Sequence, residues 1–381
     1  MKSSSALRIE RVESAQQMKD FFALPERLYG DDPAYVRPLA SLAKAQVDPD
    51  SHPFYQHATR ELFLCYRDQQ VVGRVAAIKD DLHNEYYSDS VGFFGLFEAI
   101  DDSSVAQLLL STAENWLREN GCTSIRGPVN PSMKGEFGVL VQGNEYPPYV
   151  MMGHSPKSYD RLIQGHGFEI AKQFFAFRLQ PNEDATSKPI EYDRLEKAES
   201  KILKRYPQLH FKSVDAASYD KTLREINELG NVVRRHGWGF VPLTEPELKF
   251  MITSLRRVIR FDMIHVAYWE DQLVGFIVNI PDMNWVLSKT IGRPDWLRMI
   301  QIPLLTRRCP RNRVIALGVH EDFRKKGIAI MLMKRLTDIA KEYDEWEMSW
   351  VAEDNLKSIG AISSVIGLDK YKTYRVYEKP I

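Results

Sequence analysis

The chain repeats itself, and that repetition limits its fold more than any other feature of its 381 residues. Cys65-Tyr66-Arg67-Asp68-Gln69-Gln70-Val71-Val72-Gly73 finds a counterpart 202 positions later in Ala267-Tyr268-Trp269-Glu270-Asp271-Gln272-Leu273-Val274-Gly275, and the match continues through Ile78/Ile280 and Asp80/Asp282. Each copy reads as a strand, a charged turn and a second strand, the signature of a β-hairpin. A second match pairs Gly167-Phe168-Glu169 with Gly367-Leu368-Asp369, 200 positions apart, and runs on through Lys172/Lys372, Phe174/Tyr374 and Phe177/Tyr377. Two matches in the same order at nearly the same spacing indicate a duplicated domain rather than two chance hairpins.

The halves share a coarse order of elements. A short strand (Leu7–Val12; His210–Val214) precedes one or two helices and the hairpin, then another strand (Val91–Ile100; Arg313–Val319). A long amphipathic helix follows (Ser104–Asn120; Ile328–Tyr343), and a strand, a short helix and a closing strand complete each half. Mixed strands with helices on both faces predict an α/β fold with an antiparallel start and a parallel centre. The polar stretch 181–194 reads as a linker between domains at residues 1–180 and 195–381.

The second half carries the clearest chemistry. The strand Arg313–Val319 passes through His320-Glu321-Asp322 into Arg324-Lys325-Lys326-Gly327-Ile328-Ala329 and directly into a helix. Backbone N–H groups at a helix start lack intrahelical acceptors, and the helix dipole adds positive potential. Gly327 and the small Ala329 permit close approach of an anion, and three cations add charge suited to a pyrophosphate.

These residues resemble the coenzyme A signature R/Q-x-x-G-x-G/A of the GNAT acyltransferase superfamily, and residues 210 to 381 follow that family's order of elements. The resemblance implies two tandem GNAT-like domains, with acyl-coenzyme A as co-substrate. Its pyrophosphate would lie on Arg324, Lys325, Lys326, Gly327, Ile328 and Ala329. The pantetheine arm would lie in a split between Arg313–Val319, including Leu317 and Val319, and Trp346–Ala352, with Asn355 contacting it. The family tyrosine that protonates the thiolate would fall at Ile362, so the sequence departs from the family there. Tyr371, Tyr374 and Tyr377 on the closing strand are the available phenols. The first half has Glu98-Ala99-Ile100-Asp101-Asp102-Ser103-Ser104 at the place of the loop. Without a glycine or a cation, and with three acids, this turn is expected to hold no coenzyme A.

Acyl transfer to an amine needs a group to take the ammonium proton. Alternation along Glu347-Met348-Ser349-Trp350-Val351-Ala352-Glu353 predicts that Glu347, Ser349, Val351 and Glu353 share one face. Carboxylates on an interior strand are either paired with nearby arginines or functional, and Glu353 and Glu347 are candidate bases. In the first half, Gly127-Pro128-Val129-Asn130-Pro131-Ser132-Met133-Lys134-Gly135-Glu136-Phe137-Gly138 reads as a long loop, structural or acceptor-binding. It resembles a GPxNPSxxxExG segment of bacterial tandem GNAT proteins. Glu136 is a third candidate base, and Asn130, Tyr149 and His154 are candidate acceptor contacts, the last two from a Tyr/Met-rich stretch suited to an apolar pocket.

Charge and composition exclude several classes. Cations and anions both number 51, which gives no reason to expect a nucleic-acid partner. Cys65, Cys122 and Cys309 are far apart and fit reduced thiols in a cytoplasmic protein. His52, His57, His154, His236 and His265 have no metal-ligand spacing, so no metal is assigned. Residues 1–9 lack the apolar core of a secretory signal. The stretch Asp295–Leu305 with Arg307, Arg308, Arg311 and Arg313 beyond it reads as a solvated surface, a cofactor-phosphate contact or a peripheral membrane contact. The resulting expectation is an N-acyltransferase acting on a small, peptide or lipid amine. The alternatives are an acyl-coenzyme A sensor and an aminoacyl-tRNA-dependent peptidyl transferase.

Overall fold

A computed structural model describes residues 6–179, 192–340, 343–363 and 367–381. Two compact units result: Met1–Phe174 with Lys372–Ile381, and Phe175–Tyr371. The division differs from the 1–180 and 195–381 boundaries of the sequence. It falls inside one strand at Phe174/Phe175, and Lys372–Ile381 complete the first unit instead of the second. Most of the expected linker lies outside the described residues, and its last residues begin the helix Tyr192–Arg205.

In the first unit β1 (Leu7–Arg11), β2 (Ala58–Arg67), β3 (Gln70–Asp80) and β4 (Val91–Ala99) pair antiparallel in that order, and β4 pairs parallel with β5 (Ser124–Gly127). The expected loop at 127–138 instead contains a small hairpin, β6 (Val129–Asn130) with β7 (Glu136–Phe137). Then come β8 (Val139–Gln142) and β9 (Glu169–Leu179), whose first six residues fall in this unit. The second unit repeats the plan. There β10 (Leu209–Ser213), β11 (Ile264–Trp269), β12 (Gln272–Pro281) and β13 (Arg311–Val319) pair antiparallel, and β13 pairs parallel with β14 (Glu345–Ala352). The closing strand β15 (Asp369–Pro380) lies mostly in the first unit, antiparallel to β8 over Thr373–Arg375 and to β5 over Tyr377–Pro380.

The duplication is visible in small details. Both hairpins shift register at the same point, after Cys65 and after Ala267, and both turns place an acidic residue at positive φ: Asp68 at 57° and Glu270 at 54°. Asp80 and Asp282 each cap the short helix that follows, accepting from the N–H groups of His83 and Asn284. The matched glycines explain themselves by contact. A Cβ at Gly73 would stand 2.6 Å from Leu109, and one at Gly275 would stand 2.9 Å from Ile328. In both units a bare backbone lets the long helix sit close on the hairpin.

Those helices, Ser103–Glu119 and Ile328–Ala340, supply each core. Ala106, Leu109, Leu110, Ala113 and Leu117 recur at helical spacing and pack with Phe63, Val75, Phe94 and Ile125. Ile328, Leu332 and Met333 pack with Ala267, Ile277, Trp346 and Met348.

The parallel ladders stop early. β4 pairs with β5 only from Val91–Ser124 to Phe93–Arg126, although β4 runs on to Ala99. The first unit fills the divergence with its own chain. Asn130 Oδ1 accepts from the N–H of Leu96 at 2.7 Å, and the Val129 carbonyl packs on Gly95 so tightly that a Cβ there would lie 1.8 Å from it. Gly95→Ala should therefore lower stability by about 1–3 kcal/mol, the usual cost of forcing extra volume into a packed interior. Denaturant unfolding measures this; an unchanged midpoint would contradict the close packing of this segment.

Candidate functional site

In the second unit β13 delivers its chain to a 3₁₀ turn at Glu321–Lys326 and then to Gly327, which adopts φ 82°. That left-handed backbone, together with a Cβ position only 2.5 Å from the Ile202 side chain, requires glycine here. The helix begins at Ile328, and its first closing bond runs from Met331 N–H to the Gly327 carbonyl at 3.2 Å. The N–H groups of Ile328, Ala329 and Ile330 therefore precede the first intrahelical acceptor and face the helix mouth.

The three cations of the loop do different work. Arg324 and Lys325 are exposed, and Arg324 Nε donates to the Val319 carbonyl at 3.4 Å. Lys326 also packs on aromatic side chains. Its ammonium lies over the rings of Trp269, Tyr206 and Phe323 at 5.3, 5.4 and 5.6 Å, where cation–π attraction ties the loop to the unit.

Beside this loop, β13 and β14 pair from Arg311–Glu345 to Val314–Met348, and β13 then continues to Val319, pairing with β12. Leu317 and Val319 lie on that continuation. At the closed end of the divergence sits a buried polar group. Arg313 Nε donates to Ser349 Oγ at 2.9 Å, and Ser349 Oγ donates to Glu347 Oε1 at 2.6 Å. Arg313 stands 3.6 Å from the same carboxylate, and Tyr371 OH donates to its other oxygen. Arg313 and Glu347 are both fully buried. A charge this deep is tolerable only when paired and hydrogen-bonded, and both conditions hold.

The predicted alternation of β14 holds only in part. Trp346 and Met348 face the core, but so does Val351, while Trp350 lies beneath the Arg313 guanidinium at 5.8 Å. The core-facing positions thus change parity after Ser349. Glu353 is half-buried past the end of β14. Asn355 is exposed and caps the helix Leu356–Ala361, its Oδ1 accepting from Ser358 N–H at 3.2 Å. The arginine cluster before β13 also divides. Arg307 and Arg308 are exposed, whereas Arg311 meets Asp282 at 3.4 Å and Glu345 at 3.5 Å, and Arg313 joins the network above. For Glu347 the pairing with a nearby arginine, one of the two alternatives left by the sequence, is the one observed, and the arginine is Arg313.

The first unit has no matching helix mouth. Asp102 accepts from Ser104 N–H at 2.8 Å, so a carboxylate of the chain itself occupies the start of helix Ser103–Glu119, and Arg67 pairs with it. Asn130 serves β4 as described and faces Glu136 across the β6–β7 hairpin. Tyr149 is buried, and His154 Nε2 lies 2.8 Å from Asp32 with burial pushing its pKa down. Glu98 is half-buried beside Arg74, Tyr29 and Tyr159; burial raises its carboxyl pKa, while Arg74 and the two phenols lower it. The three tyrosines of β15 separate as well. Tyr374 donates to the Gly153 carbonyl and Tyr377 to Asp160, both in the first unit, and only Tyr371 belongs to the second. Among the described residues, no group of three or more His, Cys, Asp or Glu is placed to hold a metal ion.

Comparison with known proteins agrees with this geometry. The acetyltransferase (GNAT) family model matches residues 236–365. The chain is 30% identical to the "Bacterial ceramide synthase" of Caulobacter vibrioides, covering 100% of this chain and 99% of that one. It is also 30% identical to protein YghO of Escherichia coli, covering 96% and 93%. A tandem GNAT protein from the clavulanic acid biosynthesis pathway shares the fold over 98% of both chains, with a TM-score of 0.55 at 11% identity. A GNAT from Sphaerobacter thermophilus covers 98% of this chain and 95% of its own, at 12% identity with a TM-score of 0.53. With a splayed parallel pair, a glycine-led helix and full-length relatives at this identity, the chain belongs to the GNAT acetyltransferase family.

Proposed function

We propose that this protein transfers an acyl group from acyl-coenzyme A to a long-chain amine. The observation that carries the reading is the β13–β14 ladder, which stops at Val314–Met348 while β13 runs on to the loop ahead of helix Ile328–Ala340. The relative's name supports the acceptor class, since a ceramide is the amide of a long-chain amino alcohol.

Acyl-coenzyme A supplies a thioester. The N–H groups of Ile328, Ala329 and Ile330, with Arg324 and Lys325, are placed to hold its pyrophosphate. Leu317 and Val319 offer β13 to its pantetheine arm. When the amine attacks the carbonyl, a carbon–nitrogen bond forms and the carbon–sulfur bond breaks. The nitrogen gives up a proton, and the departing thiolate takes one. Glu353 is the base in this reading, because both oxygens of Glu347 already accept hydrogen bonds from Ser349 and Tyr371. Tyr371 is the acid, the one phenol of β15 in the unit that carries the donor loop. Glu347 acts as a positioning residue that fixes Tyr371.

Gly327→Glu should abolish coenzyme A binding in calorimetry, and Arg324→Glu/Lys325→Glu, whose side chains are exposed, should weaken it while the circular dichroism stays native; the unaltered protein should bind one equivalent per chain. Unchanged affinity, or two equivalents, would remove the assignment. Glu353→Gln should slow amide formation about a hundredfold or more, the usual general-base contribution, with coenzyme A affinity retained. Full turnover in Glu353→Gln together with loss in Glu136→Gln would move the base to the β6–β7 hairpin. Glu347→Gln leaves the buried Arg313 charge without its counter-ion. It should destabilise the fold by about 3–5 kcal/mol in denaturant unfolding, and a neutral effect would contradict the pairing.

A further inference from the structure

The two halves of the duplication serve as references for each other, and they differ between the hairpin and the strand that follows it. From Asp80 to Val91 the first unit needs only the short helix Asp81–Tyr87. The second unit places Met283–Ser288 at the equivalent point and then adds a helix, Asp295–Thr306, before β13 begins at Arg311. Since the first unit closes without it, the added helix is not required to complete the fold.

Its polarity is inverted. The only side chain buried along Asp295–Thr306 is that of Arg298, which donates to Thr290 Oγ1 at 3.1 Å and to Asp295 Oδ1 at 3.2 Å. Several large apolar side chains face outward instead: Trp296 is 66% exposed, Ile300 61% and Leu304 63%, and Met299 and Ile291 are exposed as well, while Leu297, Ile302 and Leu305 are half-buried. Trp296, Ile300 and Leu304 are four residues apart and form one stripe. Lys289 and Arg293 precede the stripe and Arg307 and Arg308 end it, all exposed, while the only acid from Met283 to Arg313 is Asp295, already paired with Arg298. Among the described residues no helix is long and apolar enough to cross a membrane.

We propose that helix Asp295–Thr306 lies in the interface of a bilayer containing anionic phospholipid, with Trp296, Met299, Ile300 and Leu304 among the acyl chains and Lys289, Arg293, Arg307 and Arg308 at the headgroups. Such a site takes both an apolar stripe and flanking cations, which a protein partner with an apolar groove would not need. The inference stands on the helix alone and does not depend on the acceptor being a lipid.

Vesicle sedimentation tests it. The full chain should pellet with phosphatidylcholine vesicles containing phosphatidylglycerol, and less with phosphatidylcholine alone or at high salt. Trp296→Glu/Ile300→Glu and Arg307→Glu/Arg308→Glu should each weaken the partition about tenfold or more, with coenzyme A affinity unchanged. Because all four positions are exposed, native circular dichroism is expected in both variants. A protein that stays in the supernatant with every vesicle, or variants that partition like the parent, would overturn the inference. So would a dimer in sedimentation velocity that Trp296→Glu/Ile300→Glu converts to monomer without any vesicle binding, since the stripe would then be covered by a second copy.

Discussion

A parallel strand pair that stops pairing partway leaves one strand with hydrogen-bonding capacity directed into the gap, and buried backbone groups must find partners. Both units of this protein are built around such a pair. In the first, the gap is closed from within: the Asn130 carboxamide takes the Leu96 N–H and the Val129 carbonyl rests on Gly95. In the second, β13 runs past its last pairing with β14 toward a helix whose start is led by glycine instead of capped by an aspartate. Duplication followed by opposite treatment of one structural gap accounts for a fold with two similar units and one glycine-led helix start.

The buried charges follow the same division. Each unit holds an arginine–glutamate pair in its interior, Arg74 with Glu98 and Arg313 with Glu347, and each glutamate accepts from a tyrosine. Ion pairs at this depth add little net stability compared with apolar packing but penalise any arrangement that separates them. In the second unit, the pair lies at the closed end of the β13–β14 divergence.

Much of this was legible in the sequence because the repeated residues are those with local physical duties. Gly73 and Gly275 are needed where a helix meets bare backbone, and Asp80 and Asp282 cap helices. The loop Arg324–Ala329 was readable because its glycine and cations sit between a strand and a helix. Side-chain destinations were less legible. Lys326 could be counted as a cation, but only the fold brings Trp269, Tyr206 and Phe323 beneath it. Alternation assumed a regular pleat along β14, and its core-facing positions change parity after Ser349. The bond from the Leu96 N–H to the Asn130 carboxamide was likewise invisible in the sequence. Spacing encodes periodicity, and long-range pairing lies beyond it.

The placement of residues 372–380 has a consequence for how the protein is made. These residues pair with β5 and β8, so the sheet of the first unit lacks an interior strand until the second unit, Phe175–Tyr371, has been synthesised ahead of them. Domains usually fold in order of synthesis. Here the unit that is translated first must hold its apolar face and two unpaired strand edges until the second unit has been translated. The repeat that looks like two independent modules in sequence is, in its biogenesis, a single object.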